Sequence, residues 1–266
     1  MTGAIIGDIV GSRFEYHNIH TKKFCLFAPS CHITDDSILT MAVAKALVMS
    51  KEDFSDLAEN TVSCLRELGR KKFATYGKMF SEWLYTEKPK PYNSFGNGAG
   101  MRVSPVGFFA RDLEECKTLA RTVTAVTHNH PEGIKGGEAI ASCVFKAKNG
   151  ESKEEIRDFV NENYYNLDFT LEDLQKNYQW SSTCQGSVPQ AIECFLESEN
   201  FVDAIRNAIS IGGDSDTIAA MSGSIAEAFY GIPKYLRRIA KWNCPRSMYK
   251  YVEMLEKRNG GELKNV

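Results

Sequence analysis

Two short acidic motifs hold the chemistry available to this chain: Thr34-Asp35-Asp36-Ser37 and Gly212-Gly213-Asp214-Ser215-Asp216-Thr217. Carboxylates packed this closely repel one another. Ile33 before the first motif, and Ile211 and Ile218 around the second, wall both in with apolar side chains. A buried carboxylate without a counter-charge has to protonate or hold a cation. Each motif opens into a helix-like stretch, where free backbone N–H groups and the positive end of the helix dipole favour negative charge. Asp35 and Asp36 are adjacent, about 100° apart on a helix, and can face one ion only from its first turn. Asp214 and Asp216 gain the same access after the flexible Gly212-Gly213. Brought together, four carboxylates and the hydroxyls of Thr34 and Thr217 make an oxygen-only ligand set. Such a set selects hard cations, Mg²⁺ or Mn²⁺ ahead of Ca²⁺. Four carboxylates exceed the needs of one ion, which favours two ions roughly 3.5–4 Å apart, as in hydrolytic binuclear sites. Taken singly, either motif also reads as a plain helix N-cap; the metal reading gains from the pair.

The elements that must position these motifs are helices. Asp36 to Ser50 places Leu39, Val43, Ala46 and Leu47 on one stripe, and Glu52 to Leu68 does the same with Phe54, Leu57, Val62 and Leu65 before Gly69. Asp112 to Val126 follows, then a helix from Pro131 to Ala147, with proline tolerated at its first position. Ser152-Lys153-Glu154-Glu155 has the form of a capping box. Further helices are expected over Pro189 to Glu197, Phe201 to Ser210, Thr217 to Tyr230 and Ile232 to Lys257. Strand alternation is nearly absent, so the expected fold is all-α. Gly3, Gly7 and Gly11 recur every four residues, matched by Ala219, Gly223, Ser224 and Ala226 late in the chain. Small faces of this kind let the first and last segments pack closely enough to share ions. Trp83, Trp180 and Trp242 are read as core.

At 266 residues, with no linker or low-complexity stretch, the chain is expected to form one domain over residues 1–266, its last few residues a flexible tail. Its 32 basic and 34 acidic residues leave a net charge of -2, which argues against a nucleic-acid partner. The apolar run Ala4 to Val10 is interrupted by Asp8 and has no basic segment before it, so neither a signal peptide nor a membrane span fits. A cytoplasmic protein is expected. Eight scattered cysteines, never in C-x-x-C spacing, read as small reduced core residues.

Five stretches, GDIVGSRFE (7–15), TDDS (34–37), GNGAGMRVSPVG (96–107), THNHPEG (127–133) and GGDSDTIAAMSG (212–223), occur in the order seen in the ADP-ribosylglycohydrolase family. The chain resembles a compact bacterial member of that family. The resemblance implies a single compact orthogonal helical bundle, a binuclear Mg²⁺ or Mn²⁺ centre, and hydrolysis of the bond between ADP-ribose and an acceptor. The expected substrate is an ADP-ribosylated protein side chain or an ADP-ribose-containing small molecule. By the same resemblance Thr34, Asp35, Asp36, Asp214, Asp216 and Thr217 ligate metal. Glu15, Asp35 and Asp36 are the implied catalytic group, with Glu15 acting on the attacking water or gating the site; without the resemblance Glu15 would be a solvated charge. Phe95, Gly96, Asn97, Gly98, Gly100, Met101 and His128 are the implied substrate contacts.

The residues themselves narrow some of these roles. The glycine loop follows no strand and spaces its glycines G-x-G-x-G, which disfavours a dinucleotide fold but still lets backbone N–H groups approach a pyrophosphate. Phe95 offers an aromatic wall or a core contact. His130 is assigned to the start of a helix. No residue identifies itself as the proton donor to the leaving group. Two rival readings stand beside the hydrolase. One is a two-metal phosphatase or phosphodiesterase, disfavoured because histidines are absent from the acidic motifs; the other is a non-catalytic ADP-ribose-binding relative.

Overall fold

The structure is a computed structural model and describes residues 1–71 and 74–258. The expected flexible tail lies outside the described residues. In chain order the helices are α1 (Thr2–Gly11), α2 (Asp35–Met49), α3 (Leu57–Gly69), α4 (Lys78–Tyr85), α5 (Gly98–Met101), α6 (Ser104–Phe109), α7 (Leu113–Ala125) and α8 (Pro131–Lys148). They continue with α9 (Lys153–Asn163), α10 (Leu171–Asn177), α11 (Cys184–Leu196), α12 (Phe201–Ser210), α13 (Ser215–Tyr230), α14 (Lys234–Asn243) and α15 (Arg246–Arg258). Among the described residues the sole β-type pairing is an isolated bridge between Gly96 and Thr183. The fold is all-α, as expected.

Local signals set most boundaries. The Ser152–Glu155 capping box forms in full, and a second one, Thr170 with Asp173, starts α10, a helix too short for its periodicity to register. Pro131 occupies the first turn of α8, with the His130 ring accepting from the Glu132 N–H at 3.1 Å. The expected helix over 232–257 is two helices, because Pro245 lacks an N–H and its ring excludes the carbonyl four residues back. Conversely, α11 starts five residues ahead of Pro189, at Cys184 behind the Thr183 cap, and absorbs the proline in its interior.

The core is organised around α13, which packs against α1, α12, α11 and α8. Helix α1 is buried at all ten positions, so it shows no amphipathic stripe for periodicity to detect. Its glycines explain the fit. A Cβ on Gly7 would lie 2.1 Å from the Ala219 carbonyl oxygen, and one on Gly11 would lie 2.4 Å from the Asp216 Cα. Small residues therefore bring the backbone of α1 directly onto α13.

Two expected core residues are not core. Trp83 is buried, whereas Trp180 lies in the α10–α11 loop and Trp242 projects from α14, a helix whose buried positions are Leu236 and Ala240. Six cysteines are buried; Cys25 is exposed and Cys31 partly exposed, both in the long α1–α2 connection. Among the described residues no helix is long and apolar enough to cross a membrane.

Candidate metal centre

The first turns of α2 and α13 meet beside α1. Oxygens of Asp8, Asp36 and Asp216 lie within 4.8 Å of one another, as do oxygens of Glu15, Asp214 and Asp216. Asp216 is common to both sets, so the two clusters are contiguous. The pairing of the acidic motifs expected from the sequence is thus present, and Thr217 Oγ1 completes it by donating to Asp36 Oδ2 at 3.1 Å.

The N-cap reading fits only one motif. Thr34 caps α2 through Oγ1, which accepts from the Asp36 N–H. Asp214 stands at the cap position of α13 but makes no cap; its Oδ2 accepts instead from Asn97 Nδ2 at 2.7 Å, a group brought in from the glycine loop. Gly212 and Gly213 make the preceding turn at φ near +75°, and a Cβ on Gly213 would lie 2.4 Å from the Tyr178 ring. Asn18 closes this turn onto the α1–α2 connection: its Oδ1 accepts from the Gly213 N–H at 2.9 Å and its Nδ2 donates to the Gly213 carbonyl at 2.9 Å. The same Nδ2 donates to the carbonyl of Phe14, next to Glu15.

In sequence Asp8 only interrupts the apolar run Ala4 to Val10. It is fully buried and takes hydrogen bonds from the Thr34 N–H (2.9 Å), Thr34 Oγ1 (2.7 Å), the Ser37 N–H (3.0 Å) and Ser37 Oγ. Asp8 therefore fastens the start of α2 to α1. The available signal was a lone acid inside an otherwise apolar stretch, which cannot be buried unless something receives it.

The electrostatics suit the centre to a cation. Burial raises the carboxyl of Asp36 well above its ordinary range, with Asp216 the next cause; burial followed by Asp214 does the same to Asp216. Asp35, partly exposed, is pushed up to about 7 by burial and then by Asp8. Glu15, also partly exposed, is raised mainly by burial. Buried Asp36 Oδ1 has no hydrogen-bond partner. An all-oxygen set, mutual repulsion and an orphaned carboxylate oxygen together fit a hard divalent cation.

These groups lie on a cavity of about 1210 Å³, whose lining includes Glu15, Thr34, Asp35, Asp36, Asp214, Asp216 and Thr217. Gly96, Asn97, Gly98, Met101 and His128 also line it, together with Arg102, which the sequence reading passed over. The loop before α5 is held in place by the Asn97 N–H donating to the Ser182 carbonyl at 2.8 Å and the Cys184 N–H donating to the Phe95 carbonyl at 2.8 Å. Two expected contacts lie off the cavity wall. Gly100 points its Cα into packing with Met221, Ile140 and Val188, because the short turn of α5 rotates it inward. Phe95 is exposed and packs on the His130 ring, 5.2 Å between centroids, while its neighbours Ser94 and Gly96 line the cavity.

Comparison with known proteins follows the same line. A family model described as ADP-ribosylglycohydrolase matches residues 1–260. The chain is 24% identical over 307 residues to the ADP-ribosylhydrolase ARH3 of Homo sapiens, covering 87% of this chain and 84% of that one. It is 24% identical over 276 residues to the ADP-ribosylarginine hydrolase Tri1 of Pseudomonas putida (strain GB-1), covering 90% and 73%. It is also 24% identical over 252 residues to the ADP-ribosyl-[dinitrogen reductase] glycohydrolase of Rhodospirillum rubrum, covering 86% and 84%. Among solved structures, a chain described as an ADP-ribosylglycohydrolase-related protein complex superposes with a TM-score of 0.70 at 21% identity, over 97% of this chain and 95% of that one.

Proposed function

The chain belongs to the ADP-ribosylglycohydrolase family, and from that premise we propose that it hydrolyses the glycosidic bond between ADP-ribose and an acceptor, with an ADP-ribosylated protein side chain as the main substrate and two Mg²⁺ or Mn²⁺ ions as cofactors. The observation that carries this reading is the junction of Asp36 and Asp216 on an open cavity, with one buried Asp36 oxygen left unbonded. Asp35, Asp36, Asp214, Asp216, Thr34 and Thr217 would hold the ions, and Asp8 would add an oxygen beside Asp36 and Asp216. Bound ions supply charge stabilisation and a lowered water pKa.

The protein's own residues divide the remaining work. Asn97 restrains Asp214 by its 2.7 Å hydrogen bond, and Asp8 restrains the first turn of α2, so the carboxylates keep their positions before substrate arrives. Glu15 stands partly exposed beside Asp214 and Asp216, where a carboxylate with a raised proton affinity takes the proton of a water attacking the anomeric carbon. The Gly96–Gly98 loop and His128 line the cavity and would take the diphosphate, since glycines leave backbone N–H groups uncovered.

The test is incubation with arginine-linked and serine-linked ADP-ribosyl peptides, with and without added magnesium, followed by mass spectrometry for free ADP-ribose. Release from either peptide that needs the ion supports the reading. No release from either, with the folded protein binding ADP-ribose, would make it a non-catalytic reader.

A further inference from the structure

Arg102, at the C-terminal end of α5, is the bulkiest of the fully buried side chains, and no carboxylate among the described residues pairs with it. Its Nε has no hydrogen-bond partner. A guanidinium buried this deeply at the cavity wall, with the Asp35 charge near it but not in ion-pair contact, is costly, so its remaining contacts carry information. Arg102 Nη2 donates to Thr127 Oγ1 at 2.5 Å and lies 3.5 Å from His128 Nδ1, and Thr127 Oγ1 is 2.7 Å from the same Nδ1.

Donor accounting favours one arrangement of the protons. A guanidinium has donors only, so Thr127 Oγ1 accepts from it. If His128 Nδ1 carried a hydrogen, Thr127 Oγ1 would accept from both Nδ1 and Arg102 Nη2, and its own hydroxyl hydrogen would have no acceptor among its contacts. If Thr127 donates to Nδ1 instead, both the hydroxyl hydrogen and the Nδ1 lone pair are matched. A neutral imidazole whose Nδ1 accepts carries its hydrogen on Nε2. That nitrogen stands over the glycine loop: a Cβ on Gly98 would lie 3.1 Å from it and one on Gly96 3.5 Å. No described protein group accepts from it, and His128 lines the cavity with Gly96, Asn97 and Gly98.

We propose that Arg102 and Thr127 are positioning residues that lock His128 in its Nε2–H form and aim that donor across the Gly96–Gly98 loop at a phosphoryl oxygen of the ligand. The ligand's identity rests on the function proposed above; the tautomer is a property of the free protein. The device selects an acceptor oxygen at this point of the cavity and rejects a group that can only donate.

The experiment uses ¹⁵N-labelled, magnesium-saturated protein and long-range ¹H–¹⁵N correlation of the histidine rings, with ADP-ribose affinity read by calorimetry. The wild type is expected to show His128 with a protonated Nε2 and a bare Nδ1. Thr127→Val, which keeps the shape and removes the hydroxyl, should mix the tautomers and weaken ADP-ribose binding about tenfold, raising KM with little change in kcat. Thr127→Ser should restore both the spectrum and the affinity. A wild-type Nδ1–H ring, or a Thr127→Val spectrum identical to wild type, would overturn the relay. A wild type with the Nε2–H signature that binds no ADP-ribose would overturn the aiming at a phosphoryl oxygen and the proposed substrate together, leaving only the tautomer lock.

Discussion

Thr217 Oγ1 donates a hydrogen bond to Asp36 Oδ2 across 3.1 Å, although the two residues stand 181 positions apart. Through this contact the first turns of two helices become one site, and a defect in either motif should be felt by the other.

Asp36→Asn and Asp216→Asn should each lower kcat at least about a thousandfold, since each removes a charge from the shared ligand set. Circular dichroism should stay native, and the metal-free melting temperature of either variant should equal or exceed that of the wild type, because one of several repelling buried charges is gone. Turnover within tenfold of wild type would refute the assigned ligands.

Magnesium should raise the melting temperature in a concentration-dependent way, by an amount equivalent to about 2.7 kcal/mol at one hundred times the dissociation constant. Scanning calorimetry of wild type and Asp36→Asn across a magnesium titration checks this. Equal shifts in the two proteins would place the ion elsewhere.

Gly7→Ala should destabilise the protein by about 3 kcal/mol or more, because its Cβ would sit 2.1 Å from a backbone carbonyl that cannot rotate away. Urea unfolding measures the loss. Should the variant remain folded, its magnesium affinity should also fall, since α1 is then pushed off the helix that carries Asp216.

Asn18→Ala leaves both acidic motifs intact but removes the two hydrogen bonds that tie Gly213 to the α1–α2 connection. A drop in kcat of about tenfold to a hundredfold is expected, with a smaller loss of stability, about 1–3 kcal/mol. Unchanged kinetics would show that Glu15 and Asp214 hold their places without this staple.

Burial, and after it the nearby Arg102, hold the His128 imidazole well below its ordinary pKa of 6.5. The unfolded chain therefore takes up a proton near pH 6.5 that the folded chain refuses. Stability present above that pH is lost on acidification, by up to about 1.4 kcal/mol per pH unit. In magnesium-saturated protein, urea unfolding from pH 7.5 to 5 should show a steeper decline for wild type than for His128→Gln. Parallel curves would mean that His128 protonates freely when folded.

Much of this centre was legible before the fold was known. The composition of the two acidic motifs, the apolar residues around them and the helix-starting position of Thr34 favoured an oxygen-ligand cluster at helix ends over two separate helix caps. The four-residue glycine spacing anticipated the close approach of α1 and α13. The complete burial of α1, the shortness of α5 and α10 and the break at Pro245 were not visible to periodicity, because periodicity reports only a two-sided helix of several turns. Trp180 and Trp242 were misplaced for a related reason: hydrophobic type says that burial is favourable, not that a position is on the buried stripe.

The chain's covalent order determined which groups were available: a surplus of neighbouring carboxylates, hydroxyls at helix starts, and small residues where backbones must touch. Tertiary structure alone decided which of them meet. It turned Asp8 from an oddity in an apolar run into the clamp on α2, moved Phe95 and Gly100 off the cavity, and set Arg102 against Thr127 and His128. The physical reason is that sequence spacing fixes contacts only within a helical turn or two, whereas the partners of a buried charge are chosen by whichever distant surfaces the core brings into its desolvated surroundings.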